Sequence, residues 1–501
     1  MPTRPSPGSS ADQAAVPPGV TPAAPTSRAA HSERAARVRF RRAVTLMLMT
    51  LVWPGTAQLV AGNRRIARIA MWTWVGLLGL GAVLVGLLLW NREALLSLAL
   101  QPTLLLLLRM LLIAGALAWA ALFVDAWRLG QPLSLRQNHR LAVVGINGFL
   151  SLTVAGSLLF GAHLVGVQRD FIITMFGNGT ATGAHDGRYN VLLMGGDSGA
   201  GRWGLRPDSM TIASIDAVTG KTVLIGLPRN MSAFPFADGS VMDKQFPHGF
   251  SGSACEPYCY LNSVSTWAGD HPQLFKKSKN PGVDATIMAI EGITGLKVNY
   301  WAMVNLQGFK DLVDAVGGVK LNVRQPIPIG GLGDDVVDYV KPGVQTLNGM
   351  QTLWFARARE GSDDYSRMAR QKCVMNAMLQ QISPQTAVRN FEQIAKASTA
   401  MISTDVPRSE LDRFVQLALK AKSQKISTVS LVPPLINTGD PDIDVIREAI
   451  QSAVDRSEGD APQASKKARK KARSGPVTGG SLGSLQDGYA ANQSDNLAAS
   501  C

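Results

Sequence analysis

The sequence predicts two architectures in one chain: an N-terminal α-helical membrane region, then a soluble α/β domain. Three observations carry this. Long apolar runs cluster before Val167 in a chain that is 46% hydrophobic and 17% charged. From Tyr189 a short apolar run ends in a Gly-Gly turn and leads into a hairpin pattern. Farther on, Ser366 to Gln381 repeats with helical spacing. The 501 residues allow about three domains, and the composition excludes a wholly disordered or collagen-like protein.

Taken in order, residues 1–42 read as a disordered, Arg-rich cytoplasmic tail. The first thirty are rich in Pro, Ala, Ser and Thr and hold no apolar run, so they are not a cleavable signal. The net charge of +14 is concentrated. Seven arginines against Asp12 and Glu33 give residues 1–42 a charge of +5, and the run Lys466 to Arg473 adds six basic residues. The rest is nearly balanced and has no broad basic surface, which excludes nucleic acid as a partner.

Four apolar stretches follow, at 43–61, 66–90, 103–127 and 141–167. A spanning helix needs about 20 apolar residues, which the last three supply. Arg109, inside the third, must face a neighbouring helix or snorkel. The first is broken by Trp53-Pro54-Gly55 and reads as re-entrant, with a fourth full span as the alternative. Arg64, Arg65 and Arg68 follow stretch one, and Arg128, Arg136 and Arg140 follow stretch three, whereas the link after stretch two has Arg92 beside Glu93. Arg-rich links lie inside, so the last span runs outward and the chain beyond it is extracytoplasmic. Residues 168–188 are then a linker, 189–385 the catalytic domain, 386–456 its helical and strand extension, and 457–501 a disordered basic Gly/Ser-rich tail.

An oxidising compartment changes how the four cysteines read. Cys255 and Cys259 have a spacing that a short disulfide can close. Zinc with His248 and His271, or two free thiols, are the alternatives. Cys373 falls in the helical stretch and reads as a small core residue.

In the soluble part, Tyr189 to Met194 is a buried-strand pattern ending in Gly195-Gly196-Asp197. Met210–Asp216 and Lys221–Leu227 read as a hairpin turning at Ala217–Gly220. In antiparallel pairing the partners' numbers keep a constant sum, so Asp208 falls opposite Arg229. With the first strand alongside, Asp197 reaches the same sheet end, near Arg206. Two carboxylates there call for a divalent cation, and oxygen-only ligation suits Mg²⁺ (or Mn²⁺). A second cluster comprises Arg357 and Arg359, which project alike if extended, and Arg367, Arg370 and Gln371, which share one helix face. Two Asp and several Arg, with no obvious acidic partners, point to a pyrophosphate binder. Gly196-Asp-Ser-Gly199 matches a serine-protease nucleophile motif, but that arrangement needs a His and an Asp upstream within a β-barrel, and upstream of Ser198 lies membrane with only His185 outside it.

These ordered segments resemble the LytR-CpsA-Psr family of cell-wall glycopolymer ligases. The resemblance covers about Tyr189 to Gln381 and rests on Asn190 to Asp197, Arg206-Pro-Asp208, Leu227-Pro-Arg229, Gly308 to Val319, Leu347-Asn-Gly-Met-Gln, Arg357-Ala-Arg359 and Asp364-Tyr-Ser-Arg367-Met-Ala-Arg370-Gln371. It implies an α-β-α sandwich with an apolar pocket for a lipid tail. It also implies transfer of a glycopolymer from a polyprenyl-pyrophosphate carrier to peptidoglycan, at the C6 hydroxyl of N-acetylmuramic acid, forming a phosphodiester. Asp197 and Asp208 would hold Mg²⁺; Arg206, Arg229, Arg357, Arg359, Arg367, Arg370 and Gln371 would hold the pyrophosphate. Asp208, Arg229 and Arg359 are the expected catalytic residues. Ile287–Ile293 and Phe309–Val316 are candidate pocket walls. The sequence departs from the family pattern at Pro207, at Asn230, where an acid is usual, and at Lys372, where a second Gln is common. A membrane-anchored regulator or binder of lipid-linked precursors, and a hydrolase that releases the polymer to water, are the other two classes weighed.

Overall fold

In a computed structural model, the described residues are 27–91, 98–176, 181–197, 206–276, 278–331, 335–359, 363–381, 390, 393–394, 402–459 and 492. The chain divides into two compact units, residues 1–86 with 110–162, and 87–109 with 163–501.

In the first unit, helix α1 (Ser27–Val52) ends at the Trp53-Pro54-Gly55 break and α2 (Thr56–Ala61) follows. The predicted tail is thus helical from Ser27 onward, a correction: the Ala-rich 29–36 segment favours helix, whereas disorder was read from the Pro, Ala, Ser and Thr of the first thirty residues. The break needs Gly55, whose φ is +96° and whose β-carbon would stand 2.7 Å from the Ala67 carbonyl oxygen. The broken stretch is therefore no single long helix. Helices α3 (Arg64–Trp90), α4 (Pro102–Leu129) and α5 (Gln137–Met175) carry the three segments long and apolar enough to cross a membrane. Within the second unit, the Arg109 guanidinium lies against Gly166, where a β-carbon would stand 3.1 Å from it. A larger residue there would push the guanidinium aside by a few tenths of an ångström.

Helix α5 runs eight residues into the predicted linker, because the polar triplet Gln168-Arg169-Asp170 interrupts the apolar run without breaking the helix. Its end is clasped by Arg408, which donates to the carbonyls of Phe176 (2.6 Å) and Ile173 (3.3 Å), while Ile172 is buried against Leu105 and Leu411.

The soluble domain is built on a six-stranded sheet of order β10-β3-β2-β1-β4-β9, with β1 (Arg188–Asp197), β2 (Arg206–Asp216), β3 (Thr222–Leu227), β4 (Tyr300–Asn305), β9 (Ile402–Thr404) and β10 (Ser427–Ser430). Strands β2 and β3 pair with Met210 opposite Leu227, the predicted register. Period-two alternation splits the hairpin residues between two faces. Met210, Ile212, Val223, Ile225 and Leu227 enter the main core with α7 (Val264–Asp270), α8 (Pro281–Thr294) and α13 (Ile443–Glu458). Ala213 and Leu224 face the other way, packed with Met375 of α11 (Asp364–Gln381), and Ile215 and Ala217 pack near Phe414 of α12 (Leu411–Lys422). Helices thus lie on both faces of one sheet: the expected α-β-α sandwich. A smaller core joins α9 (Leu306–Ala315), α10 (Gly349–Arg357) and α11 to two ribbons, β5 (Val319–Val323) with β8 (Gly343–Leu347) and β6 (Ile327–Gly330) with β7 (Val336–Val340).

The Cys255–Cys259 disulfide is formed, with an S–S distance of 2.09 Å. Cys373 is buried as expected, but it too is disulfide-bonded, a correction to the plain core reading; its partner lies outside the described residues.

Candidate functional site

Strand ends and one helix converge on a cluster of opposite charges. Past the last ladder pair of the hairpin, Asp208 and Arg229 meet as their register requires, with Arg229 Nη1 2.5 Å from Asp208 Oδ1. Arg229 Nε also donates to Asp364 Oδ1 at 3.2 Å. Asp364 opens α11, where Asp363 accepts a hydrogen bond from the Ser366 amide at 2.9 Å and so starts the helix two residues earlier than predicted. One turn on, Arg367 Nη2 reaches Asp364 Oδ2 at 3.0 Å. Arg359 completes the ring more loosely, 3.9 Å from Asp364 Oδ1. Three guanidinium groups and two carboxylates leave the cluster one positive charge in excess.

The electrostatics follow from this packing. Burial works to raise the Asp208 carboxyl, yet the charge and hydrogen bond of Arg229, helped by Arg367 and Asn262, carry it below the usual range. Arg229 is driven down by burial but more than restored by Asp364 and Asp208. Arg359 and Arg367 both shift down, through burial and the neighbouring Arg229 charge, with Asp364 opposing. Those two guanidinium groups are the least neutralised of the set and the best placed to gain from an added anion.

The statement that the arginines lack acidic partners is thereby corrected: Asp364 serves three of them. Its spacing to Arg367 was the available signal. Asn262, also not foreseen, donates to Asp208 Oδ1 at 3.4 Å. Gln371 sits inside the site, accepting from Ser209 Oγ at 3.1 Å and donating to the Ala356 carbonyl at 3.2 Å. Arg370 belongs to the interior instead. It is 1% exposed, donates to the Ala358 carbonyl, and is pushed to about 10 by burial and by Arg367. Its role is to hold the 357–359 turn. Arg357 lies over the ring of Trp354, 5.4 Å from its centroid, at the end of α10. A reciprocal capping box between Asn348 and Gln351 fixes the other end of that helix. Arg206 is exposed on the strand edge.

A cleft opens beside the cluster, between α11 and the sheet, lined by Asp208, Leu224, Leu227, Arg367, Met368 and Met375 among others. The predicted pocket walls lie elsewhere: Ala289, Ile290 and Ile293 are in the main core and Phe309 and Val313 in the smaller one. At the back of the cleft, Lys372 is 8% exposed, and among the described residues it has long contacts of 3.5 Å to Thr428 Oγ1 and the Asn492 carbonyl. Burial pushes its ammonium down to about 7.

For a metal, the backbone of Asp197 pairs with Arg206 on β2, two residues from Asp208, so both aspartates stand at one sheet end. The Asp197 side chain lies outside the described residues. Two carboxylates are oxygen donors of the kind Mg²⁺ takes, so this donor chemistry fits. Among the described residues no three His, Cys, Asp or Glu form a metal-holding group by themselves.

The sequence model of the LytR_cpsA_psr family matches residues 167–434, more than half of the chain. The chain belongs to this family. Among its LytR-CpsA-Psr relatives is a Streptococcus mutans protein named Biofilm regulatory protein A, 24% identical over 53% of this chain and 62% of that one. Another is the polyisoprenyl-teichoic acid–peptidoglycan teichoic acid transferase TagU of Oceanobacillus iheyensis, 27% identical over 45% and 61%. The chain thus spans about three fifths of the length of these relatives. The crystal structure of Bacillus subtilis TagV is similar at 21% identity and a TM-score of 0.40, covering 56% of this chain and all of that one.

Proposed function

We propose that this protein transfers a glycopolymer from a polyprenyl-pyrophosphate carrier to peptidoglycan, acting outside the membrane to which its helices anchor it. One observation carries the reading. Arg229, Arg359 and Arg367 gather on Asp364, beside a small cleft in which Asp208 and Arg367 adjoin Leu224, Leu227, Met368 and Met375, an arrangement that suits a diphosphate with an apolar chain attached. The names of the TagU relatives agree with it.

In this reading the acceptor is the C6 hydroxyl of N-acetylmuramic acid. Its oxygen bonds to the sugar-linked phosphorus, the anhydride P–O bond breaks, polyprenyl phosphate leaves, and the hydroxyl proton passes to solvent or a base. Such transfer is catalysed mainly by placing the reactants and spreading charge. Arg359 and Arg367 take the phosphate oxygens, and Arg229 holds Asp208 in place. Asp364 keeps the guanidinium groups ordered before substrate arrives, so little reorganisation remains. Met368, Met375 and Leu224 keep water from the α11 side of the site, where the apolar chain leaves the phosphates. Asp197 and Asp208 would hold Mg²⁺ (or Mn²⁺), which supplies further charge neutralisation at the phosphates when bound.

The test is transfer by the purified full chain from a lipid-pyrophosphate glycan to peptidoglycan strands, with linkage fragments read by mass spectrometry. A phosphodiester at C6 is expected. Free polymer released to water would identify a hydrolase, and tight binding without turnover would identify a regulator.

A further inference from the structure

At the Asp208 end the two faces of the sheet have different neighbours. On one lies the cleft under α11. On the other, the segment before α7 runs past the rim: the Asn262 amide donates to the Arg229 carbonyl at 3.0 Å and its side chain to Asp208. A diphosphate held by Arg359 and Arg367, beside the Arg229–Asp208 pair, would lie between these sides. Displacement at phosphorus is roughly in line, so the nucleophile enters opposite the leaving group. With the carrier tail in the α11 cleft, the acceptor arrives along the segment 252–262.

That segment is pinned. Cys255 is buried in the main core and bonded to Cys259, Trp267 Nε1 donates to the Ala254 carbonyl at 2.9 Å, and the Leu261 amide donates to the Met231 carbonyl at 2.9 Å. Between the pins, Tyr258 and Tyr260 are 63% and 42% exposed. Tyr260 is two residues from Asn262, so their Cα atoms are at most about 7 Å apart; Tyr258 is within about 14 Å. Rigidly held, solvated aromatic rings present an apolar face and a polar edge, which match the C–H face and hydroxyl rim of a sugar. Ser251 to Asn262 contains Glu256 and no Lys or Arg, so the surface repels rather than gathers a phosphate-rich polymer.

Resting on the transfer reading above, we propose that Tyr258 and Tyr260 form a saccharide-stacking subsite for the acceptor glycan, beside the Asp208–Arg229 pair.

The experiment uses the full chain in detergent micelles and a soluble peptidoglycan-derived oligosaccharide. Its binding is measured by calorimetry, and transfer kinetics are measured with donor and acceptor varied separately. Tyr258→Ala and Tyr260→Ala should each raise the acceptor KM by about threefold and the double variant by about tenfold, with binding weakened in parallel. The donor KM and the kcat at saturating acceptor should not change, and Tyr260→Phe should retain wild-type values. Unchanged acceptor KM and binding in the double variant, with its disulfide intact, would overturn the proposal. A rise in donor KM alone would overturn it too, by assigning the rings to the donor polymer. Wild-type chain that binds the oligosaccharide through these tyrosines yet transfers nothing would remove the transfer reading and leave the subsite standing.

Discussion

Replacing Lys372 by methionine should stabilise the protein at neutral and acid pH and lose that advantage in alkali. The lysine sits at the back of the cleft with two 3.5 Å contacts and no carboxylate partner among the described residues, so its charge is desolvated with little return. Burial moves the ammonium from 10.5 to about 7. At 1.36 kcal/mol per unit, the charged form costs the folded state at most about 5 kcal/mol. Between pH 7 and 10.5 the unfolded chain binds the proton and the folded chain does not, so wild-type stability rises with pH across that window. Below 7 both forms hold the proton and the full cost stands. Methionine has similar length and no charge. At pH 6 the variant should unfold about 10 °C higher, a difference that shrinks above pH 7 and vanishes near 10.5. Thermal unfolding in micelles from pH 6 to 10.5, followed by near-UV circular dichroism, measures this. Parallel pH profiles for the two proteins would refute the reasoning.

Other outcomes follow from the charge cluster and the cysteines. Arg229→Ala and Arg359→Ala should each lower transfer at least about tenfold, since a charge-assisted contact contributes about 1.5–3 kcal/mol; Arg359→Lys should restore only part, measured as kcat/KM with thermal unfolding as the control for folding. Asp208→Asn should abolish transfer that wild type loses to chelator and regains with Mg²⁺ or Mn²⁺; full activity in excess chelator would contradict the metal's role. Asp364→Asn should raise KM for the donor while weakening the fold only modestly, because Arg229 and Arg367 lose the carboxylate that orders them, and kinetics against donor concentration reads this. Peptide mapping without reductant should recover Cys373 in a disulfide-linked peptide separate from the Cys255–Cys259 one.

The hairpin was readable because a tight turn sets register and alternation sets the faces; Asp208 opposite Arg229 followed from counting residues. Arg367 and Gln371 were readable from helical spacing. Arg370 shares that face but points into the turn at Ala358, and spacing alone does not distinguish a helix's buried end from its open one. Asp364 was seen only as part of a motif, because its bond to Arg229 joins residues 135 apart in the chain. The cleft walls were misplaced for a related reason: apolar periodicity in Ile287–Ile293 reports burial, not which of two cores receives it.

Arg408 brackets the last turn of α5 to the sheet domain through two backbone carbonyls. From Arg188, near that bracket, β1 climbs nine steps to Asp197, about 30 Å at 3.3 Å per step. In the transfer proposed above, with α5 in a bilayer, that length would give the site one working reach. Inserting residues between Met175 and Arg188 would change the reach without touching a single side chain of the site. Acceptor hydroxyls nearer or farther than it would then go unreacted, a selection by distance and not by chemistry.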